Sequence, residues 1–258
     1  MMNPSYPPGG DGGGSGPAPG GGFMRRRFLG AERILSSGTW DKATALAAPY
    51  LVGIPSTALE IEVECVGAGG GGQKLRQYGG AGATPGTIAV DTFSADDFGV
   101  TEPVSIGAGG VPGANGGWTR FGNFVQAAGG LVSGGPGQAM PGSEQPVGQS
   151  YSAGLAYGPR GPGAGGGTYY NPIEQTFGGA SNSYRPRHSL NGGVNGQSGL
   201  DARDHWEYGS GGGAGLDSYA AGNGGAPGGG GGASSYGMPG TGGRGEVRLR
   251  YYVWETVQ

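Results

Sequence analysis

The sequence contains a single cysteine, Cys65, in 258 residues, so no internal disulfide framework can hold its fold. Charge is also scarce. Fifteen Lys and Arg stand against 18 Asp and Glu, a net charge of -3, which leaves no broad basic footprint for a phosphate backbone. Nucleic acid is therefore not an expected partner. No stretch approaches the ~20 consecutive apolar residues of a membrane helix, so no membrane insertion is expected. The opening "MMNPSYPPGGDGGGSGPAPGGG" also lacks the apolar centre of a signal peptide. No G-x-x-x-x-G-K-[ST] phosphate loop occurs, and the only histidines are His188 and His205.

What the chain has instead is glycine: 67 Gly and 19 Pro together make up a third of it. Such a fraction signals either disorder or an unusual repeat. Disorder is disfavoured because 34% of the residues are hydrophobic, including 13 Tyr, 7 Phe and 4 Trp, and they gather into strand-like runs. Collagen is excluded because no G-X-Y period is sustained.

Residues 1–30 read as a Gly/Pro-rich arm carrying the basic run Arg25–Arg27, which is expected to be a solvated turn. Residues 31–258 read as one glycine-rich domain with Tyr-rich variable loops at about 141–220. Within it, "DKATALAAP" fits a short helix capped by Asp41 and stopped by Pro49. In "LEIEVECV", Leu59, Ile61, Val63 and Cys65 alternate with Glu60, Glu62 and Glu64, the period of a half-buried strand over 59–66. Cys65 on the apolar side is expected to be a core residue rather than a nucleophile.

A second alternating run, "GEVRLRYYVWETV", places a strand near 246–254, with Val247, Leu249 and Tyr251 opposite Arg248, Arg250 and Tyr252. Pairing the two strands would set arginines beside glutamates and merge the apolar faces. The predicted fold class is thus mainly β and irregular, a small β core with long loops.

Three junctions, "CVGAGGGG", "SIGAGGVPG" and "VQAAGGLVSGG", each run an apolar strand end into small residues. Glycine in regular structure costs about 0.5 to 1 kcal/mol relative to Ala, so its abundance requires a compensating gain. Glycines supply turns with positive φ, or they form extended helices of three residues per turn that pack closely because no Cβ intervenes. Runs such as Gly69–Gly72 and Gly228–Gly232 favour the second, polyglycine II-like arrangement.

Motifs for chemistry are weak. "GAGGGG" satisfies G-x-G-x-x-G, but with this much glycine the pattern arises by chance and no amphipathic helix follows it. "DARDHWE" gathers Asp201, Arg203, Asp204, His205 and Glu207, a set able to ligate a metal, yet it reads better as a solvated charged loop anchored by Trp206. No catalytic, cofactor or metal residue is assigned, and no enzyme is expected.

Between Tyr151 and Tyr219 aromatic residues and arginines lie among Gly, Ser and Asn, the composition of binding loops. Tyr169, Tyr170, Tyr184, Arg185, Arg187, His188, Trp206 and Tyr208 are the candidate partner-binding residues. The same rings would also serve to cap a glycine bundle that has little else to bury.

With "SGTW" at 37–40, "VGAGGGG", "SIGAGG", "TRFGNFVQAAGG" and "GTGGRGEVRLRYYV", the chain resembles the glycine-rich domain of bacteriophage tail fibres and minor tail proteins. Some related adhesins at fibre tips are bundles of polyglycine helices. The resemblance implies a non-enzymatic virion component, made in the host cytoplasm and displayed on the tail or fibre. It also implies a homo-oligomer, a trimer above all, joined to other virion proteins through the arm, with loops that meet a host surface glycan or protein. A purely architectural piece, such as a head fibre, decoration or tail-tip plug, is the alternative.

Overall fold

A computed structural model describes residues 23–74, 82–132, 147–148, 156–157, 162–163, 165, 196–215, 220–234 and 237–257. In chain order the elements are β1 (Phe23–Ile34), β2 (Gly38–Asp41), α1 (Lys42–Leu46), β3 (Leu59–Val66), β4 (Ile88–Ser94), β5 (Thr101–Ser105), β6 (Thr119–Phe121), β7 (Val125–Ala127), β8 (Val147–Gly148), β9 (Ala156–Tyr157) and β10 (Glu246–Val257). The fold is mainly β. One antiparallel sheet runs β1-β10-β3-β4, a second runs β2-β5-β6-β7, and β8 pairs with β9.

The two alternating runs pair as their charges suggested: Arg248 lies opposite Glu64, Arg250 opposite Glu62 and Tyr252 opposite Glu60. Their apolar sides merge into a core between the two four-stranded sheets, where Leu59, Ile61, Val63 and Cys65 meet Val247, Leu249 and Tyr251. From the facing sheet come Trp40, Val104, Phe121 and Val125. Phe98 joins Trp40, Phe121 and Phe124 edge-on, with centroids 5.7, 5.7 and 4.8 Å away, the geometry that ring quadrupoles favour. Cys65 is buried in this core as expected. Asp41 caps α1 by accepting from Thr44 N at 2.7 Å, and the helix ends before Pro49, which opens a 3-10 turn.

Two expectations change. The basic run Arg25–Arg27 is not a turn but the first half of edge strand β1, where Arg25 and Arg27 pair with Glu255 at 2.6 and 2.8 Å. A strand wins there because β10 extends to Val257 and presents acids to those arginines. Strand β3 is half-buried only at its start, since at Glu64 both faces are covered.

Beyond the sheets the glycines form a bundle with a clear period. The donors of Gly67 and Gly70 bond Thr87 and Thr84; those of Ala68 and Gly71 bond Gly117 and Ala114; those of Gly69 and Gly72 bond Gly243 and Gly240, all at 2.8–3.2 Å. Every third residue thus faces the same neighbour, which is the period of a three-residue helix without internal hydrogen bonds. The carbonyls of Ala68, Gly69, Gly70 and Gly72 accept from Gly130, Gly110, Gly231 and Gly113, so six segments surround Gly67–Gly72. The three small-residue junctions all enter this lattice: β3 continues into the central segment, while the chain after β5 and after β7 supplies two of its neighbours.

Close approach makes glycine obligatory at these positions. A Cβ on Gly69 would lie 2.0 Å from the Gly229 carbonyl oxygen, and one on Gly72 2.0 Å from that of Gly232. Both obstacles are backbone, which cannot rotate away. Gly69→Ala is expected to lose about 3 kcal/mol or more of stability in denaturant melts, because the overpacking has no side chain to absorb it. Gly38→Ala, with nothing within 4 Å of the new Cβ, is expected to stay within about 0.5 kcal/mol of the native protein.

Candidate functional site

Among the side chains of β10 and β3 that point away from the core are Glu246, Arg248, Arg250, Glu62 and Glu64. Strand pairing places them in one patch. Arg248 reaches Glu64 at 3.1 Å and Glu246 at 2.8 Å, while Arg250 reaches Glu62 at 2.8 Å and Glu64 at 2.9 Å. From β1, Arg33 grips Glu246 with two contacts of 2.7 Å. Arg33, Arg248 and Arg250 thus hold three glutamates within a largely buried network, to which Arg244 adds a contact of 3.8 Å with Glu246 and Arg26 one of 3.6 Å with Glu62.

The segment 201–208 lies over this network. Arg250 donates to the His205 carbonyl at 2.7 Å, and Arg248 donates to the carbonyls of His205 and Glu207. Trp206 lies over the Arg250 guanidinium and Tyr208 over that of Arg248, each with its ring centroid 4.7 Å away. Inside the loop Asp204 accepts from the backbone of Trp206 and Glu207, and Arg203 pairs with Glu207. "DARDHWE" is thus a structured cover rather than a solvated loop. Its Asp204 and Glu207 are committed to hydrogen bonds, and no cluster of ligating residues able to hold a metal occurs among the described residues.

Toward the other end of the same face the covering loop stops and aromatic residues take over. Arg26 of β1 lies 3.7 Å above the Tyr252 ring and pairs with Glu60 at 3.0 Å. Trp254 Nε1 donates to Glu60 at 2.8 Å. Phe28 meets Tyr252, His205 and Trp206 with centroids 5.6–6.0 Å apart. A separate groove of about 420 Å³ is lined by Glu32, Ser37, Trp40, Asp41 and Tyr50, but its carboxylates are engaged, Asp41 with α1 and Glu32 with the Tyr251 hydroxyl.

Of the partner-binding residues expected from sequence, Tyr169, Tyr170, Tyr184, Arg185, Arg187 and His188 lie outside the described residues. Trp206 and Tyr208 are brought together on the arginine network. Tyr208 is only 1% exposed, so its ring serves the interior rather than an outside partner. Phe28 and Trp254 were not singled out by sequence and Arg26 only as part of the basic run, although continuing the alternation Arg248, Arg250, Tyr252 by two residues puts Trp254 on this face.

A family model described as a glycine-rich domain matches residues 44–252, from α1 through most of β10. The chain belongs to the glycine-rich domain family. No curated protein matches it. In this glycine-rich domain the match spans the strands of both four-stranded sheets except β1 and β2, together with all the bundle segments described above.

Burial by itself would raise the Glu64 carboxyl, but Arg250 and Arg248 outweigh it and hold its pKa below the ordinary 4.5. Its contribution is complete above that value and is lost as pH falls through the lower folded one. His205 is pushed down to about 4 by burial and then by Arg250, so the folded state prefers neutral imidazole. Stability from this preference is full above 6.5 and lost as pH drops from there toward 4. In pH-dependent melts His205→Gln is expected to abolish the upper loss and keep the lower one. An unchanged slope between pH 6.5 and 4 would disprove the assignment. Arg248→Met, which strands Glu64 and Glu246 with one fewer cation, is expected to cost about 3–5 kcal/mol in denaturant unfolding, with less lost when Glu64→Leu accompanies it.

Proposed function

We propose that this protein is a non-enzymatic structural component of a bacteriophage virion, carried on the tail or tail fibre, and that it contacts the host surface through its Tyr-rich loops. The observation that carries this reading is the glycine lattice into which β3, β5 and β7 feed directly. A bundle whose segments touch backbone to backbone is a stiff support that leaves its connecting loops free to vary in sequence. The resemblance of the strand-to-glycine junctions to tail-fibre domains supports the same role, while membership of the glycine-rich family accounts for the glycine-rich domain alone.

In this reading the particle holds a homo-oligomer, a trimer, joined to other virion proteins through the N-terminal arm. A second reading, purely architectural, is favoured by the exposed Phe23 and Met24 at the start of edge strand β1, an apolar strand end suited to a neighbouring subunit. There the Tyr-rich loops would meet adjacent subunits rather than a host.

Binding of the purified protein to intact candidate host cells tests the choice. The triple substitution Tyr184→Ala, Arg185→Ala, Arg187→Ala is expected to lose at least about tenfold in binding while retaining the native melting curve. Binding that survives the triple substitution would remove these loops from recognition. No binding by either protein would favour the architectural reading.

A further inference from the structure

The outer half of the charged sheet face differs from the inner half in being open. Trp254 is 48% exposed and Phe28 42% exposed, and both stand beside Tyr252 on the face of β1 and β10 that carries the arginine network. Exposed flat rings on adjacent strands form a platform whose spacing is fixed by the sheet.

The polar groups among these rings are already matched in charge. Arg26 pairs with Glu60 and Glu62, and Arg250 pairs with Glu62 and Glu64. An anionic or cationic ligand would therefore find no uncompensated counter-charge. Hydrogen-bonding capacity nevertheless remains. Glu60 is about a third exposed and holds Trp254 on one oxygen and Arg26 on the other, each carboxylate oxygen having a second lone pair. Arg26 Nη2 and His205 Nε2 also lack a hydrogen-bond partner, but both atoms are buried and out of a ligand's reach, so the free capacity is that of Glu60.

A neutral sugar matches this combination. Its ring C–H groups pack on aromatic faces, and its hydroxyls donate to the free lone pairs of a carboxylate such as Glu60. We propose that the Phe28, Tyr252 and Trp254 platform, with Arg26 and Glu60 at its centre, binds a neutral oligosaccharide. The biological sense of this site rests on the surface-binding reading above, but its place is the sheet and not the Tyr-rich loops. It is a preformed site: the rings are carried by paired strands, and Arg26 is clamped between Tyr252 and two carboxylates.

The test is a titration of the full chain with chitotetraose, cellotetraose, maltotetraose and galactotetraose, read by tryptophan fluorescence and calorimetry. At least one is expected to bind and to shift the emission. Trp254→Ala, at an exposed position, is expected to weaken that binding by about tenfold or more with an unchanged melting curve, and Trp254→Phe to recover part of it. The Tyr184, Arg185, Arg187 triple variant is expected to bind the sugar like the native protein. Loss of host-cell binding in that variant with sugar binding intact would separate the two sites.

Several results would overturn the proposal: no binding of any of the four sugars, binding indifferent to Trp254→Ala, or preference for a sulfated oligosaccharide over the neutral ones. Protection of Trp254 from acrylamide quenching as protein concentration rises would overturn it too, by assigning the face to a second copy of the chain.

Discussion

The contact on which the rest of the structure depends is a backbone carbonyl oxygen sitting where a neighbouring residue's Cβ would otherwise be. It recurs along the central segment: Gly67 against Ala128, Gly69 against Gly229, Gly71 against Val111, Gly72 against Gly232, each about 2 Å from the virtual Cβ. Such a lattice buries almost no side-chain surface, so burial of apolar groups does little to hold it. Its cohesion comes from donors and acceptors that must all find partners once water is excluded. That requirement also sets its register, because a slip by one residue would turn each N–H toward a different neighbour.

A lattice of this kind does not pin its own ends. The chain solves this with the β sandwich. Strand β3 hands over to Gly67, and Gly245 hands back to β10, which lies beside β3 in the same sheet. Entry and exit of the bundle are thus tied together by a strand pair whose apolar side is core and whose polar side is an ion network. Burying that network is costly, and the attraction between its ions in the interior largely serves to offset the hydration they lose. Arg248 and Arg250 recognise the carbonyls of His205 and Glu207, which fixes segment 201–208 on the sheet, and the bundle segment from Gly209 to Gly215 follows directly from it.

How much of this could be read from residues depends on where each signal resides. The alternation in "LEIEVECV" and "EVRLRYYVW" encodes face and partner together, because glutamates on one strand call for arginines on the other. Glycine runs reveal a close-packed bundle for the same local reason. Which segments become neighbours was not legible, since glycine carries no side chain to mark a partner. Burial of Glu64 was hidden as well, because its cover comes from a segment more than a hundred residues away in the chain. Arg25–Arg27 looked like a turn beside Gly/Pro-rich sequence, and only the length of β10 makes them a strand. Composition likewise could not distinguish Tyr208, folded onto Arg248, from a ring facing outward.

The same alternation that built the ion network divides its face in two, and the division follows from where the covering loop ends. Over Arg248 and Arg250 the loop supplies carbonyls and rings, so both guanidinium groups are enclosed and paired with glutamates. Past Trp206 no loop segment continues among the described residues, and the side chains at the corresponding positions become Tyr252 and Trp254 on β10 and Phe28 and Arg26 on β1. Aromatic residues there cannot contribute much to the core, which lies on the opposite side of the sheet. Their rings are held instead by contacts along the face, Phe28 against Tyr252 and Trp254 against Glu60. A surface so preorganised loses little conformational freedom on meeting a partner. Rigidity, which the glycine bundle supplies to the whole domain, is supplied at this face by strand pairing and by charges that neutralise one another.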